Sequence, residues 1–168
     1  MSIVTNSKII MIIISWAAVL FWMLLIFYLS SQEAEQSNNL SKGVTKVIVE
    51  TVEKVTPEKD FNMDTINHFV RKNAHFFAYL TLGILVLNAI RRSRVNGSTI
   101  SGVATLAMAF GICVLYAIGD EVHQLFVPGR GGQVKDILID SSGAIVGIGL
   151  YMIIAKTREG KTWTWGQV

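Results

Sequence analysis

The chain has 168 residues, of which 51% are hydrophobic and only 16% are charged. Soluble domains carry about 25% charged residues, so this composition excludes an ordinary soluble protein. The formal net charge of +3 gives no indication of nucleic-acid binding, and the single cysteine, Cys113, excludes an internal disulfide and a cysteine-based zinc site.

Four long apolar runs predict membrane-spanning helices. They cover about residues 9–29, 74–90, 99–118 and 137–155, with Asp140 as the only charged residue among them. A helix needs about 20 apolar residues to cross a hydrocarbon core of about 30 Å, and the four runs approach or reach this length. We therefore predict an all-α membrane protein, a four-transmembrane-helix bundle that forms a single membrane domain over residues 1–168. The first run is too long for a signal-peptide core, so we expect it to be retained.

The segment from residue 30 to residue 73 contains the pattern of an amphipathic helix. Apolar residues and one threonine recur every three or four positions, at Val44, Val47, Ile48, Thr51, Val52 and Val55. This is the spacing of one helix face. We expect an extracytoplasmic amphipathic helical segment between spans one and two, which lies on the bundle or in the headgroup layer. A partner-binding helix is the alternative.

Basic residues indicate how the spans are oriented. They follow the second span at Arg91, Arg92 and Arg94, and the fourth span at Lys156, Arg158 and Lys161. Both groups lie on the same side as Lys8 if the chain crosses the membrane four times. Because Lys and Arg accumulate in short cytoplasmic loops, we predict a multi-pass protein with both termini in the cytoplasm.

Polar residues converge at the predicted outer ends of three spans. They are Arg71, Lys72 and His75 on the second span, Asp120, Glu121, His123 and Gln124 on the third, Arg130 in the following loop, and Asp136 and Asp140 on the fourth. Ionisable groups in membrane helices usually face the bundle interior and mark functional sites. Asp136 and Asp140 share one helix face with the glycines of the sequence GAIVG. Those glycines allow another helix to approach closely, either in the same chain or in a homo-oligomer.

Three interpretations of these residues compete. In the structural interpretation, Lys72 and Arg130 neutralise the carboxylates and fasten the helix ends together. In the binding interpretation, the basic side chains hold a phosphate or carboxylate of a headgroup or an antibiotic, for which arginine is favoured. In the enzymatic interpretation, Glu121 or His123 is a general acid or base. A metal variant uses His75, His123, Glu121 and an aspartate, but no spaced catalytic motif is present, and we expect no metal and no cofactor.

At these residues the chain resembles the VanZ-like family of bacterial membrane proteins. The matching features, in chain order, are Ser30 and Ser31 at the end of the first span, Lys72 and His75, Glu121 and Gln124 in GDEVHQ, Pro128 to Arg130, and the pattern D-x-x-x-[ND]-x-x-G-x-x-x-G at Asp136, Asp140, Gly143 and Gly147. The resemblance covers roughly residues 20–155, which is most of the chain. The founding member of the family is associated with reduced susceptibility to teicoplanin.

The resemblance implies a four-span bundle with an outward polar motif in the bacterial plasma membrane. We expect an envelope protein that binds an anionic lipid or a lipid-linked cell-wall precursor at an outward-facing pocket and modulates susceptibility to glycopeptide antibiotics. Candidate partners are membrane lipids, such a precursor and the antibiotic itself. The expected ligand-binding residues are Lys72, His75, Glu121, Gln124, Arg130, Asp136 and Asp140. The alternative is an intramembrane enzyme that acts on a phospholipid or polyprenyl-linked headgroup, with the candidate catalytic residues Glu121, His75 and His123 and with Arg130.

Overall fold

Four long α-helices dominate the structure, and each is long and apolar enough to span a membrane. The computed structural model describes residues 2–33, 42–43, 46, 63–94 and 102–159. The helices are α1 (Ser2–Ser30), α2 (Met63–Ser93), α3 (Gly102–Gln124) and α4 (Val134–Glu159). The prediction of an all-α bundle of four spans is confirmed, and the chain is a multi-pass membrane protein. The organisation of residues 1–168 as a single domain stays a prediction.

Two helices extend beyond the apolar runs that predicted them. Helix α2 begins at Met63 rather than near residue 74, and α3 continues to Gln124 rather than ending near residue 118. The hydrogen bonds of a helix are made by its backbone and do not require apolar side chains. The helix can therefore continue through polar turns that lie beyond the apolar run. The predicted amphipathic helix between Val44 and Val55 lies outside the described residues, except for Lys46.

Helix α2 is the central element of the bundle. It contacts each of the other three helices, and its most extensive interface is with α4. Its core face is fully buried and consists of Tyr79, Leu82, Val86, Leu87 and Ala89. Within a bilayer there is little hydrophobic drive between helices, so close packing of such side chains supplies much of the association energy.

Glycines allow the backbones of α2 and α4 to approach closely. A Cβ atom added to Gly83 of α2 would lie 2.6 Å from the carbonyl oxygen of Ala144 in α4. Cβ atoms at Gly143 and Gly147 of α4 would overlap backbone carbonyl groups of α2. The small-residue face of GAIVG is therefore occupied by a helix of the same chain, whereas a homo-oligomer stays a prediction.

Helix α1 lies at the edge of the bundle. It packs chiefly against α2 and touches α3 sparsely, and much of its surface is apolar and exposed, including Ile13, Phe21 and Leu24. Such a surface suits contact with lipid tails. Interhelical hydrogen bonds, including two from its own indoles to α2, hold it along its length. The indole of Trp22 donates to the carbonyl oxygen of Ala78 at 2.9 Å, and the indole of Trp16 donates to Ser93 Oγ at 2.9 Å.

The polar residues of interest lie at one end of the bundle, where α1 and α3 finish and α2 and α4 begin. We call this the pocket end. The opposite end carries Lys8, Arg91, Arg92, Arg94 and Lys156, and we call it the basic end. The short loop between Gln124 and Val134 joins α3 to α4 at the pocket end.

Candidate functional site

A polar cavity of about 130 Å³ lies at the pocket end. Three helices and one loop supply its walls, with Arg71, Lys72 and His75 from α2, Gln124 from the end of α3, Asp136 and Asp140 from α4, and Arg130 and Gln133 from the loop. The structure thus brings together six of the seven residues that the sequence predicts to bind a ligand. Glu121, the seventh, lies beside the cavity and does not line it.

Two acid–base contacts join α2 to α4 across the cavity. Lys72 Nζ lies 3.2 Å from Asp136 Oδ1, and both side chains are about a quarter exposed, at 26% and 22%. His75 Nδ1 lies 3.6 Å from Asp140 Oδ1, and Asp140 is fully buried. The first contact therefore belongs to the accessible rim of the cavity, where an ion pair contributes little to stability, and the second belongs to its floor.

Asp120 connects the site to the first helix. Ser30 Oγ donates a 2.8 Å hydrogen bond to Asp120 Oδ2, and Gln124 Nε2 donates to the same oxygen at 3.3 Å. Ser30 and Asp120 are both almost completely buried. The list of expected ligand-binding residues did not include either of them. The only sequence signals were the serine pair that ends the first span and the position of Asp120 beside Glu121.

Glu121 holds the loop that closes the site. Its Oε2 atom accepts the backbone N–H of Gln133 at 2.7 Å, and Oε1 accepts a 3.5 Å hydrogen bond from Gln124 Nε2. Both carboxylate oxygens therefore have partners within the protein. His123 packs its ring against Phe27, with 4.3 Å between the ring centroids. Of the three residues proposed as general acids or bases, only His75 lines the cavity.

The loop between α3 and α4 brings Arg130 over the cavity. Val127 is buried and anchors the loop, and its carbonyl oxygen accepts the backbone N–H of Arg130 at 3.1 Å. Gly129 has a φ angle of 73°, a left-handed conformation that glycine adopts without steric cost. Burial, followed by the nearby charge of Arg71, lowers the pKa of Arg130 from its ordinary value. Among the described residues, no carboxylate lies within ion-pair distance of Arg130.

The architecture and the motif residues can be compared with known families. The sequence model described as VanZ/LLP1 matches residues 15–155. The chain belongs to the VanZ/LLP1 family. The matched region contains the whole cavity and most of every span. Comparisons with curated proteins and with solved structures gave no match.

One group of side chains in this VanZ/LLP1 protein has the composition of a cation site. His75, Asp120 and Asp140 each offer a ligand atom, and these atoms all lie within 4.8 Å of one another. The metal variant suggested by the sequence shares His75 and an aspartate with this group. Its other members, Glu121 and His123, are not part of the group, because one binds the loop backbone and the other packs on Phe27.

Proposed function

We propose that the protein binds the anionic headgroup of a membrane lipid or of a lipid-linked cell-wall precursor at the pocket end. The observation that carries this proposal is the pair of guanidinium groups at the cavity. Arg71 and Arg130 both line it, and they are close enough for Arg71 to disfavour the charge on Arg130. An anion between them would offset this repulsion, and arginine forms strong, often bidentate, hydrogen bonds with phosphate.

The lengths of the helices support a position at headgroup depth. Helix α2 has 31 residues, which gives a length of about 46 Å at 1.5 Å per residue. The hydrocarbon core of a bilayer is about 30 Å thick, so the polar turns of α2 extend beyond it. Arg71 and Lys72 belong to the turns at the pocket end. A lipid phosphate could therefore reach the cavity without leaving the membrane surface.

Charge distribution supports the orientation that we propose, with the pocket end outside and both termini in the cytoplasm of a bacterial cell. The basic end carries an excess of Lys and Arg, as cytoplasmic loops do. An outward cavity at headgroup level would meet lipid-linked cell-wall precursors, anionic phospholipids and glycopeptide antibiotics. Together with the family resemblance, this position is the basis for proposing an effect on glycopeptide susceptibility.

The contacts of Glu121 favour binding over the enzymatic alternative. A general base must come within hydrogen-bond reach of the proton that it abstracts. Both carboxylate oxygens of Glu121 are instead engaged by the side chain of Gln124 and the backbone of Gln133. We therefore assign Glu121 the role of holding the loop that carries Arg130.

Lipid binding by arginine variants tests the proposal. The full-length protein in detergent would be titrated with phosphatidylglycerol and with phosphatidylcholine, and bound lipid would be counted by native mass spectrometry. A hydrogen bond to a charged group contributes about 1.5–3 kcal/mol, so we expect Arg130→Gln to bind phosphatidylglycerol about 10- to 100-fold more weakly. Arg92→Gln is the matched control, because Arg92 bonds Asn88 at the basic end.

Equal binding of phosphatidylglycerol by Arg130→Gln and Arg92→Gln would contradict the proposal. A wild-type protein that binds phosphatidylglycerol no better than phosphatidylcholine would contradict it as well. The antibiotic part requires a second measurement, the teicoplanin susceptibility of cells that express each variant. We expect loss of the wild-type effect in Arg130→Gln alone. An unchanged effect in that variant would separate the susceptibility phenotype from headgroup binding.

A further inference from the structure

Four buried oxygen atoms near the floor of the cavity have no hydrogen-bond partner in the described part of the protein. They are Asp120 Oδ1, both carboxylate oxygens of Asp140, and the hydroxyl of Tyr79. Asp140 and Tyr79 are fully buried, and Asp120 is 3% exposed. Buried polar atoms are nearly always satisfied, so a cluster of unsatisfied oxygen atoms marks a place for a partner that the described residues do not supply.

Tyr79 belongs to the same cluster as the carboxylates. It lies one helical turn beyond His75 on α2, which places both on one face of that helix. Its hydroxyl lies within electrostatic range of Asp120 and Asp140 and has no hydrogen-bond partner among the described residues. It therefore adds one more unsatisfied polar atom to the surroundings of the two carboxylates.

The neighbouring basic side chains do not neutralise the two carboxylates. Lys72 pairs with Asp136 at the rim, and Arg130 lies within ion-pair distance of neither carboxylate. The nearest basic group is His75, whose Nδ1 is 3.6 Å from Asp140. An uncompensated buried charge costs several kcal/mol, so a cation bound between the two carboxylates would stabilise their ionised forms.

We infer that His75, Asp120 and Asp140 bind one divalent transition-metal ion of the Mn²⁺ or Zn²⁺ class. Two carboxylates balance the charge of a dication, and a mixed set of imidazole and carboxylate ligands suits these metals. Ser30 and Gln124 both donate hydrogen bonds to the Oδ2 atom of Asp120, which leaves its Oδ1 atom free to act as a ligand. Such outer hydrogen-bond partners orient the ligands of metal sites.

The metal site would contribute an open coordination position to the cavity. His75 and Asp140 both line the cavity, and three protein ligands leave room for at least one further oxygen ligand, as in catalytic zinc sites. The inference goes beyond the proposed headgroup binding and does not depend on it, because it rests on the floor residues and not on Arg71 or Arg130.

Metal titration of the full-length protein tests the inference. The purified protein in lipid-free detergent would be stripped with a chelator and titrated with Mn²⁺, and the free ion would be followed by electron paramagnetic resonance. We expect one saturable site per chain, from which Zn²⁺ displaces Mn²⁺. Asp120→Asn and Asp140→Asn should each weaken binding at least about tenfold, since even outer-shell changes at metal sites cost 10- to 100-fold.

Glu33→Gln is the control, because Glu33 is an exposed carboxylate that neither lines the cavity nor belongs to the group of three. We expect it to keep binding within about threefold of the wild type. Absence of saturable binding in the wild type, or equal loss in all three variants, would overturn the inference. If the Asp120 and Asp140 variants do not fold, the wild-type protein provides the test. A bound ion must raise its melting temperature. Equal melting temperatures with Mn²⁺, with Zn²⁺ and with chelator would also overturn the inference.

Discussion

Replacing Gly83 with alanine is expected to destabilise the protein by forcing α2 and α4 apart. The added Cβ atom would lie 2.6 Å from the carbonyl oxygen of Ala144, whereas ordinary van der Waals contact begins near 3.4 Å. The obstructing atom belongs to the backbone of α4, so no side-chain rotation can make room. The two helices must therefore separate by about 0.8 Å at this point.

The loss of stability can be estimated from the van der Waals contacts that this separation weakens. A gap of 0.5–1 Å removes roughly a quarter to a half of the dispersion energy of each contact across it, and the core face of α2 lies along this interface. Overpacking of this kind costs about 1–3 kcal/mol. Alanine favours a helix over glycine by about 0.5–1 kcal/mol, which offsets only part of the loss.

Gly149→Ala provides the matched control, because a Cβ atom there would meet nothing within 4 Å. This variant receives the gain in helix propensity without the clash, so we expect it to be slightly more stable than the wild type. The two variants together isolate the packing term, and we expect them to differ in stability by about 1–3 kcal/mol.

A thiol-reactive dye can measure this difference, because Cys113 is the only cysteine in the chain and is fully buried. A maleimide that fluoresces on reaction would report unfolding in detergent as the temperature rises. We expect a lower melting temperature for Gly83→Ala than for the wild type. Equal melting of Gly83→Ala and Gly149→Ala would refute the argument that these backbones are in close contact.

Three further predictions concern the pocket end. Ser30→Ala should lose about 1.5–3 kcal/mol of stability in the same dye assay, because Asp120 loses a buried hydrogen bond to a charged acceptor. Lys72→Gln should change stability by less than about 1 kcal/mol, because its ion pair is partly exposed, and its melting curve should overlie that of the wild type. In intact cells, an impermeant maleimide should label Gly131→Cys but not Lys156→Cys.

Two of these predictions have an internal control. Ser142 is exposed and bonds only the backbone of its own helix, so Ser142→Ala should leave stability unchanged, and a similar loss in both serine variants would contradict a specific role for Ser30. In the labelling experiment, buried Cys113 should give no background signal. Labelling of the Lys156→Cys variant instead of Gly131→Cys would reverse the proposed orientation.

The spans could be predicted because lipid imposes a strong local constraint. Backbone groups in a bilayer must be satisfied within the segment, so apolar composition over about 20 residues is enough to locate a helix. The same reasoning brought Lys72 and His75 to the same end of the bundle as Asp136 and Asp140, since the polar turns of α2 and α4 were expected on one side of the membrane. Hydropathy alone does not give the ends of these helices, because Arg71 and Lys72 lower it without ending α2.

The rotation of each helix could not be predicted from the pattern of charge. Consecutive residues on a helix point about 100° apart, so neighbours in GDEVHQ face different surroundings. Asp120 and Gln124 share a face and bond to each other, and Asp120 also accepts a hydrogen bond from Ser30, whereas His123 packs on Phe27. The contact between Ser30 and Asp120 spans 90 positions of the chain, and it depends on how α1 docks, which no local pattern encodes.

The peripheral position of α1 has a consequence for biogenesis. This helix is synthesised first, and its apolar surface lets it remain stable in the bilayer before any partner exists, as in two-stage folding. Asp120 arrives much later and receives its hydrogen bond from Ser30 only when α1 is docked. A chain whose first helix has detached would thus have a carboxylate without this hydrogen bond beside an open face of α2. This exposed polar group distinguishes an incomplete bundle from an assembled one and would allow membrane quality control to recognise it.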